Sequence, residues 1–307
     1  MGILLLAPDR DLRGLVQQLH RQAPDLALYL WPQTQPHPDI DFALCWNPPA
    51  GVIEQFSSLK AVTSLGAGVD ALLDPAVVPS HLPIGRISGP ELALDMARWL
   101  IAQITSHWLQ LDQFRQQQID KDCRTWAPTE APLIGLLGIA TIGASCARQF
   151  QSLGLRVEGW NRSGHGPSQV PMHLGAQGLH DLAARADYLI CLLPLTNSTR
   201  GILDRSLFKA MRPGSVLINV GRGQHLVEAD LLTALDAGQP ALAILDVFQQ
   251  EPLPTGHPFW SHPRVRVSPH CAAISQDEEV ARLLLDSYRR VQAGELPLGA
   301  IDRQAGY

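Results

Sequence analysis

The sequence predicts an α/β protein built from two doubly wound parallel sheets, with a cleft between the two domains. The chain has 307 residues, which suits about two domains. From residue 133 onward, continuous apolar runs alternate with helical patterns, as in a parallel sheet covered by helices on both faces. Before residue 95, shorter apolar runs alternate with polar, proline-rich breaks in the same manner.

The first domain is predicted to span residues 1–95 and 277–307. Three apolar runs predict its strands: Ile3–Ala7, Phe42–Trp46 and Val62–Leu65. Residues 91–117 repeat apolar side chains every three or four positions, which predicts one long helix that is suited to bridging the domains. A last helix, over residues 276–293, is expected to return to the first domain.

The second domain is predicted to span residues 96–276. Its strands are short apolar runs that end at polar or glycine-rich segments: Leu133–Leu137, Arg156–Trp160, Tyr188–Leu193, Val216–Val220, Ala241–Val247 and Val265–Ser268. The predicted helices among them are Gly143–Leu153, Leu203–Met211 and Glu228–Ala237. Gly238 follows the last of these helices, where glycine commonly ends a helix. A polar, irregular connection that carries Trp126 is expected over residues 120–132.

Composition and charge argue against several classes of protein. The 24 basic and 29 acidic residues give a net charge of −5, which argues against a nucleic-acid-binding face. No apolar run approaches the ~18 residues that a membrane span needs. Five cysteines without a C-x-x-C pair predict buried, inert thiols in a reducing compartment, and hence a cytoplasmic protein.

The segment Gly138–Gly143 lies between a predicted strand and a predicted helix, where the dinucleotide fingerprint G-x-G-x-x-G is found. Gly138 permits the tight turn, Gly143 permits close packing of helix on strand, and the helix N-terminus attracts the pyrophosphate. Ala140 replaces the middle glycine, so its methyl group is expected to loosen the fit, and a purely structural turn remains the alternative. The candidate cofactor contacts here are Gly138, Ala140, Thr141, Ile142 and Gly143.

The end of the next predicted strand bears on the choice of nicotinamide cofactor. NAD-specific folds usually carry an acidic residue there, which binds the ribose 2′-hydroxyl. This chain has Asn161, Arg162 and Ser163 instead, so no carboxylate repels a 2′-phosphate. Arg162 offers a planar fork suited to phosphate, although a solvated surface arginine is the plain alternative. The sequence therefore predicts NADPH, with NADH as the alternative cofactor.

Three further predicted strands run into ionisable side chains, Arg222, Glu251 and His270. Ligands bind beyond the carboxyl ends of strands in a doubly wound sheet, so these groups are expected to converge. A protonated His270 can donate to a substrate carbonyl oxygen, Glu251 can orient the imidazole, and Arg222 can bind a substrate carboxylate. Each residue alone is more often structural. His257 and His262 suggest a metal pair with His270, but no cysteine or carboxylate cluster supports one, so no metal is predicted.

Six motifs, taken in order, resemble those of the D-isomer-specific 2-hydroxyacid dehydrogenases. They are Gly138–Gly143, Leu192–Thr196, Ile218–Gly223, Leu245–Phe248 with Glu251-Pro252, His257–Trp260 and Ser268–His270. Residues 45–49, 65–70 and 160–163 are most similar to the glyoxylate/hydroxypyruvate reductase A branch. The resemblance covers nearly the whole chain, and it implies a flavodoxin-like substrate domain and a Rossmann dinucleotide-binding domain.

The resemblance also implies a function: reduction of a small 2-oxo acid, such as glyoxylate or hydroxypyruvate, to the D-2-hydroxy acid by a homodimer. It implies catalytic roles for Arg222, Glu251 and His270, and it places Asp246 near the nicotinamide amide. Further implied cofactor contacts are Leu193, Pro194, Val220, Gly221 and Ala272. Implied substrate contacts are Trp46, Leu65, Gly66, Ala67 and Gly68. Gly221 stands where alanine is usual, which is expected to loosen the loop that carries Arg222.

Two other functions remain open at this point. A nicotinamide-sensing binding protein on the same fold is favoured by the altered fingerprint, whereas the intact Arg222, Glu251 and His270 argue against it. A dehydrogenase for a bulkier 2-oxo acid keeps the chemistry and changes the substrate. Trp46 and Trp126 suit the wall of either pocket, so the residues do not separate these substrates.

Overall fold

The computed structural model describes residues 1–125, 130–162 and 164–306, so Trp126 and Ser163 lie outside the described residues. The chain divides into two compact units, one formed by Met1–Leu92 with Ser275–Tyr307 and the other by Ala93–Ile274. Each unit contains its own sheet of parallel strands with flanking helices. The predicted α/β class with two doubly wound sheets is therefore confirmed.

The first unit contains a five-stranded parallel sheet. Its elements, in chain order, are β1 (Gly2–Leu6), α1 (Arg13–Gln22), β2 (Ala27–Leu30), β3 (Ile40–Cys45), β4 (Ala61–Ser64) and β5 (Ile84–Arg86), followed near the C-terminus by the helix Asp277–Gln292. The strand order is β2-β1-β3-β4-β5, so the winding reverses between β1 and β3. Doubly wound sheets bind ligands at such a switch point, beyond the carboxyl ends of the strands.

The second unit contains a seven-stranded parallel sheet. Its elements are α2 (Pro90–Trp108), which begins in the first unit, α3 (Leu111–Asp120), β6 (Leu133–Leu137), α4 (Thr141–Ser152), β7 (Arg156–Asn161), β8 (Met172–Leu174), α5 (Gly175–Arg185), β9 (Tyr188–Cys191), α6 (Arg205–Ala210), β10 (Val216–Asn219), α7 (Glu228–Asp236), β11 (Leu242–Leu245) and β12 (Val265–Val267). The C-terminal helix of the first unit, Asp277–Gln292, is α8. The strand order is β12-β11-β10-β9-β6-β7-β8, with the switch point between β6 and β9.

Apolar side chains on both faces of each sheet are buried. In the second unit, α2 and α4 cover one face with residues such as Leu100 and Phe150, whereas α5 and α6 cover the other with residues such as Leu182. In the first unit, α1 and α8 pack side by side over β1 and β3. Burial on both faces explains why the central strands read as continuous apolar runs rather than as alternating ones.

The helix predicted over residues 91–117 is wrong in extent. α2 ends at Trp108 and α3 begins at Leu111, because Gln110 adopts a left-handed conformation with a φ of +57°, through which a right-handed helix does not continue. α3 then runs to Asp120, into the stretch that was predicted to be irregular. Apolar spacing alone does not detect such a break, since Leu111 continues the repeat.

Three strands escaped prediction, namely β2, β5 and β8. Each of them lies at an edge of its sheet and has only three or four residues. Such short segments carry too few apolar side chains to produce a readable pattern. The predicted central strands β3, β6, β9, β10 and β11 are present; β6 has the predicted bounds, and the ends of the other four differ by two residues at most.

Two further observations concern the helices and the cysteines. Within the described parts of the chain, no helix combines the length and the apolar character that crossing a bilayer requires. Cys45, Cys146 and Cys191 are buried, and burial raises the pKa of the last two thiols to about 12. Cys123 is exposed and Cys271 is half-buried, so the prediction of five buried thiols is wrong for two that lie in connections rather than in the core.

Candidate active site

β6 ends in a turn that brings the chain very close to the start of α4. Gly138 has a φ of +98°, a conformation that favours glycine, and its N–H donates to the carbonyl oxygen of Trp160 at 2.9 Å. A Cβ on Gly143 would overlap the carbonyl oxygen of Gly138. The backbone therefore demands glycine at the first and last positions of the fingerprint.

Ala140 occupies the N-cap position of α4. Its backbone is extended, its side chain is exposed, and it makes no side-chain capping bond. The carbonyl oxygen of Ala140 accepts from the N–H of Ala144 at 2.7 Å, so the N–H groups of Thr141, Ile142 and Gly143 precede the helical hydrogen-bond ladder. These donors and the positive end of the helix dipole fit a dinucleotide pyrophosphate.

The loop after β7 carries no carboxylate at the position where a ribose 2′-hydroxyl would be bound. Asn161 shapes this loop, since its Nδ2 donates to the carbonyl oxygen of His165 at 2.5 Å and its Oδ1 accepts from the N–H of Gly164 at 2.6 Å. The exposed Arg162 donates from Nη1 to Oγ of Ser198 at 3.2 Å. Ser198, which sequence reasoning missed, thus adds a hydroxyl beside the guanidinium, and both groups suit a phosphate.

His270 and Glu251 are joined by a hydrogen bond of 2.7 Å between Nδ1 and Oε2. The other carboxylate oxygen of Glu251 accepts from the backbone N–H of Phe248 at 3.0 Å. Burial on its own raises the pKa of Glu251, but the hydrogen bonds from His270 and Phe248 and the charges of His270 and Arg222 outweigh it, so the pKa is lowered. Glu251 is therefore ionised at neutral pH, and it contacts His270 through Nδ1.

Asp246 sets the backbone of the loop that carries His270. His270 has a φ of +51°, and its N–H donates to the carbonyl oxygen of Asp246 at 2.8 Å. The buried carboxylate of Asp246 accepts from Oγ of Ser268 at 2.6 Å and from the N–H groups of Cys271 and Ala272, both at 2.9 Å. Asp246 and Ala272, which the resemblance assigns to cofactor binding, are thus bonded to each other and hold this loop in place.

Arg222 follows β10, and a buried histidine holds its backbone. The N–H of Arg222 donates to Nδ1 of His225 at 3.0 Å, while Nε2 of His225 lies 3.3 Å from the carbonyl oxygen of Pro194. His225 therefore links Arg222 to the connection after β9. Sequence reasoning missed it, because no spacing distinguishes it among eleven histidines.

The loop around Gly221 is held on both sides by hydrogen bonds. Asn219 accepts from the N–H of Gly221 at 3.2 Å and donates to the carbonyl oxygen of Arg222 at 3.0 Å. A Cβ on Gly221 would lie 2.9 Å from Nδ1 of His225. The glycine thus makes room for the imidazole that bonds the backbone of Arg222.

The candidate residues of the second unit share one edge of the sheet. β6, β9, β10 and β11 are parallel neighbours, so the segments that follow them lie side by side. A Cβ on Gly138 would lie 3.1 Å from the backbone nitrogen of Leu193, and the connection containing Leu193 and Pro194 is bonded to His225. Val220 is buried, and its N–H donates to Cys191 at 3.2 Å. The structure therefore brings the catalytic candidates to the edge that carries the dinucleotide turn.

The predicted substrate residues form a separate cluster in the first unit. Oγ of Ser64 donates to the carbonyl oxygen of Gly68 at 2.7 Å and accepts from the N–H of Gly66 at 3.3 Å, which closes the loop Leu65–Gly68. Trp46 follows β3, and its ring lies 3.0 Å from the place where a Cβ on Gly66 would stand. Glycine at this position thus lets the indole pack directly on the loop.

The histidines that suggested a metal pair have carboxylate partners instead. His257 lies 3.4 Å from Glu228, and His262 lies 3.5 Å from Asp236. In the described part of the chain, no three histidine, cysteine or carboxylate side chains are grouped in a way that could hold a metal ion.

The second unit thus combines a turn that fits a dinucleotide with an imidazole and a guanidinium beside the same sheet edge. Holding a nicotinamide and protonating a carbonyl group require these two kinds of feature. The fold and the site therefore define a nicotinamide-dependent dehydrogenase.

Comparison with known proteins identifies the family. The family model described as "D-isomer specific 2-hydroxyacid dehydrogenase, NAD binding domain" matches residues 99–272. The chain belongs to the D-isomer-specific 2-hydroxyacid dehydrogenase family. It is 35% identical to glyoxylate/hydroxypyruvate reductase A of Yersinia enterocolitica and 34% identical to that of Photorhabdus laumondii, and each comparison covers all of both chains.

Solved structures show the same similarity in three dimensions. A D-isomer-specific 2-hydroxyacid dehydrogenase from Xanthobacter autotrophicus Py2, in complex with NADPH and MES, has a TM-score of 0.93 at 31% identity. An NADPH-dependent glyoxylate/hydroxypyruvate reductase from Sinorhizobium meliloti, in complex with NADP and sulfate, has a TM-score of 0.92 at 30% identity. Each comparison covers 100% of this chain and 99% of the other, so the likeness extends to both units.

Proposed function

We propose that the protein reduces small 2-oxo acids, glyoxylate and hydroxypyruvate among them, to D-2-hydroxy acids with NADPH. The observation that carries this proposal is the hydrogen bond of 2.7 Å between His270 and Glu251, with the charge of Arg222 acting on the same carboxylate. The relatives whose names specify this reaction support the choice of substrate.

His270 is the proposed proton donor. When bound, the reduced nicotinamide supplies the hydride that is added to C2 of the 2-oxo acid. This addition places negative charge on the carbonyl oxygen, and His270 donates a proton to that oxygen from Nε2. Glu251 keeps the imidazole oriented through its hydrogen bond to Nδ1.

Arg222 is the proposed anchor for the substrate carboxylate. A guanidinium binds a carboxylate through two parallel hydrogen bonds, and its charge stabilises the negative charge that develops on the neighbouring carbonyl oxygen. His225 and Asn219 fix the backbone from which this side chain extends. We assign the recognition of the remainder of the substrate to Trp46 and the loop Leu65–Gly68.

NADPH is the proposed cofactor, rather than NADH. The loop after β7 presents Arg162 with Ser198 at 3.2 Å and lacks the carboxylate that would select a ribose 2′-hydroxyl. The structures from Xanthobacter autotrophicus and Sinorhizobium meliloti were solved with NADPH and NADP, which supports the same choice.

Steady-state assays of the purified protein test the proposal. Glyoxylate and hydroxypyruvate are offered with NADPH and, separately, with NADH, and the product of hydroxypyruvate is analysed for D-glycerate. We expect turnover of both acids, a higher kcat/KM with NADPH, and D-glycerate as the product. Equal or better use of NADH would overturn the cofactor assignment. Tight binding of NADPH without turnover of any 2-oxo acid would favour a nicotinamide-sensing protein instead.

We propose that the chain works as a homodimer. α3 buries none of its residues, and Leu111, Phe114 and Ile119 on it are 43%, 40% and 72% exposed. A helix with this much apolar exposure is typical of a surface that a partner covers. The family resemblance favours a second copy of the same chain as that partner.

We propose that the protein resides in the cytoplasm. All five cysteines are free thiols, including the exposed Cys123, which suits a reducing compartment.

A further inference from the structure

An arginine outside the proposed machinery lies over the aromatic ring of Trp46. The guanidinium carbon of Arg10 is 4.7 Å from the centre of that ring, within the range of a cation–π contact. The same indole packs against the loop Leu65–Gly68 at Gly66. Arg10 therefore belongs to the cluster to which we assign substrate recognition.

The position of Arg10 in the fold is that of a ligand-binding residue. Arg10 follows β1 and Trp46 follows β3, and these two neighbouring strands flank the switch point of the first sheet. The N–H of Trp46 donates to the carbonyl oxygen of Leu6 at 2.9 Å, which ties the two strand ends together. Doubly wound sheets bind ligands at this place.

The hydrogen-bonding edge of Arg10 is not used by neighbouring side chains. A stacked guanidinium contacts the ring through its flat face, whereas its N–H donors lie in its own plane. Within residues 1–125, 130–162 and 164–306, the guanidinium of Arg10 has no hydrogen-bond acceptor and no ion-pair partner. The nearby carboxylate of Asp11 is engaged by Arg13, with contacts of 3.0 Å and 2.6 Å.

We propose that Arg10 is a specificity residue that binds a second carboxylate, carried on the side chain of the 2-oxo acid. This inference rests on the proposed function and extends its substrate class to 2-oxo dicarboxylates. A stacked, planar fork at a ligand-binding edge suits a planar carboxylate. The reaction is unchanged: C2 receives a hydride, its oxygen receives a proton, NADPH becomes NADP, and the second carboxylate stays intact.

Oxaloacetate and pyruvate form a matched pair of substrates, because they differ only by the carboxylate on C3. We expect the wild-type protein to have a higher kcat/KM for oxaloacetate, measured as malate formed, than for pyruvate. In Arg10→Gln, kcat/KM for oxaloacetate should fall about tenfold or more, as expected for the loss of a charge-assisted hydrogen bond. The loss should appear mainly in KM, because such a contact exists before and during the chemical step.

Two further variants sharpen the test. Arg10→Lys keeps the charge without the fork, so its kcat/KM for oxaloacetate should lie between those of the wild type and Arg10→Gln. Arg13→Gln removes a neighbouring exposed arginine that already has a partner, and it should behave like the wild type. Turnover of pyruvate and glyoxylate should stay within about twofold in Arg13→Gln, whereas in Arg10→Gln the ratio of kcat/KM for oxaloacetate to kcat/KM for pyruvate should fall, since only oxaloacetate carries a second charge.

The outcomes separate this inference from the proposed function. A wild-type protein that reduces glyoxylate but prefers pyruvate to oxaloacetate would overturn the role of Arg10 alone. An unchanged ratio of oxaloacetate to pyruvate in Arg10→Gln would do the same. Failure of the wild-type protein to reduce any 2-oxo acid would overturn the proposed function itself.

Discussion

At the scale of single residues, Glu251 stays charged because its hydrogen bonds outweigh the effect of burial on its pKa. Two hydrogen bonds, from Nδ1 of His270 and from the N–H of Phe248, stabilise its ionised form. The same contacts restrict the imidazole to one orientation. The hydrogen bond between Glu251 and His270 therefore depends on the geometry of the loop as well as on the two side chains.

Glu251→Gln should lower kcat/KM for hydroxypyruvate by about tenfold or more, because the imidazole loses a charged partner while Phe248 keeps an acceptor. The pKa of Glu251 is lowered from its ordinary value of 4.5, so the effect of the carboxylate is fully present above that pH. It is lost as the pH falls through the lowered pKa. The two proteins should therefore differ throughout about pH 5 to 8, the range in which histidine acts, and converge only below it.

A matched control for this substitution is Glu228→Gln, which removes the carboxylate beside His257 at 3.4 Å. Its pH profile of kcat/KM should follow that of the wild type. Wild-type activity in Glu251→Gln across the whole range would contradict the orienting role of the carboxylate.

His225→Leu should leave the N–H of Arg222 without its acceptor and lower kcat/KM for hydroxypyruvate by about tenfold. His225→Asn, which restores an acceptor, should recover part of the loss. His262→Leu is the control, since this histidine lies before the amino end of β12, whereas His270 follows the carboxyl end of the same strand. Equal losses in His225→Leu and His262→Leu would show general destabilisation rather than positioning of Arg222.

Some of these residues were predictable from the sequence and others were not. Arg222, Glu251 and His270 follow predicted strands, and parallel topology directs such residues to one edge. Other contributions come from contacts that only the folded chain makes, those of His225, Ser198 and the backbone N–H of Phe248. No motif or spacing in the sequence predicts such contacts. Asp246 was named through the family resemblance, but the bonds of its carboxylate to three groups of the His270 loop could not be predicted from the sequence.

At the scale of the secondary-structure element, the turn between β6 and α4 is where we expect the pyrophosphate of the cofactor to bind. Its outer glycines are fixed by sterics, whereas the exposed Ala140 faces no such constraint. The altered fingerprint therefore preserves the fold of the turn and changes only its surface.

Substitutions in this turn should have opposite effects on NADPH affinity, measured by fluorescence titration. Ala140→Gly removes a methyl group from the pyrophosphate approach and should tighten binding severalfold. Gly143→Ala forces α4 away from Gly138 and should weaken binding by about tenfold or more, with a lower Tm. Gly256→Ala, at a position with open space around it, is the control. Weaker binding by Ala140→Gly would contradict the placement of the pyrophosphate.

The apolar pattern of the sequence predicts some elements and does not predict the boundaries of others. Buried parallel strands such as β9 and β10 leave continuous apolar runs, so they were predictable. The end of α2 depends on the backbone conformation of Gln110, which the apolar repeat does not encode. The edge strands β2, β5 and β8 form because they pair with a neighbouring strand, rather than because of their own composition.

At the scale of the whole molecule, the exposed apolar side chains of α3 lead us to expect a dimer. Light scattering should give twice the chain mass of 33.5 kDa. Phe114→Glu combined with Ile119→Glu should shift the protein toward the monomer, because charges replace apolar contacts. Leu153→Glu, at an exposed leucine after α4, should leave the mass unchanged. A monomeric wild type, or a variant that stays dimeric, would contradict this use of α3.

The length of the chain predicted two domains and the βα alternation is much clearer after residue 133, while the folded chain divides into two compact units after Leu92. Both units place their candidate residues after the carboxyl ends of parallel strands, one cluster around Trp46 and the other around His270. The fold class thus follows from the apolar pattern, whereas the chemistry depends on a few side chains at these strand ends.

Turnover by His270→Ala tests the central claim most directly. Oxidation of NADPH by hydroxypyruvate is followed in the wild type and in the variant, and NADPH affinity is measured alongside by fluorescence titration. We expect kcat to fall by about a hundredfold or more, the usual contribution of a general acid, with cofactor affinity unchanged. Near-normal turnover by His270→Ala would contradict the account, because another group would then supply the proton.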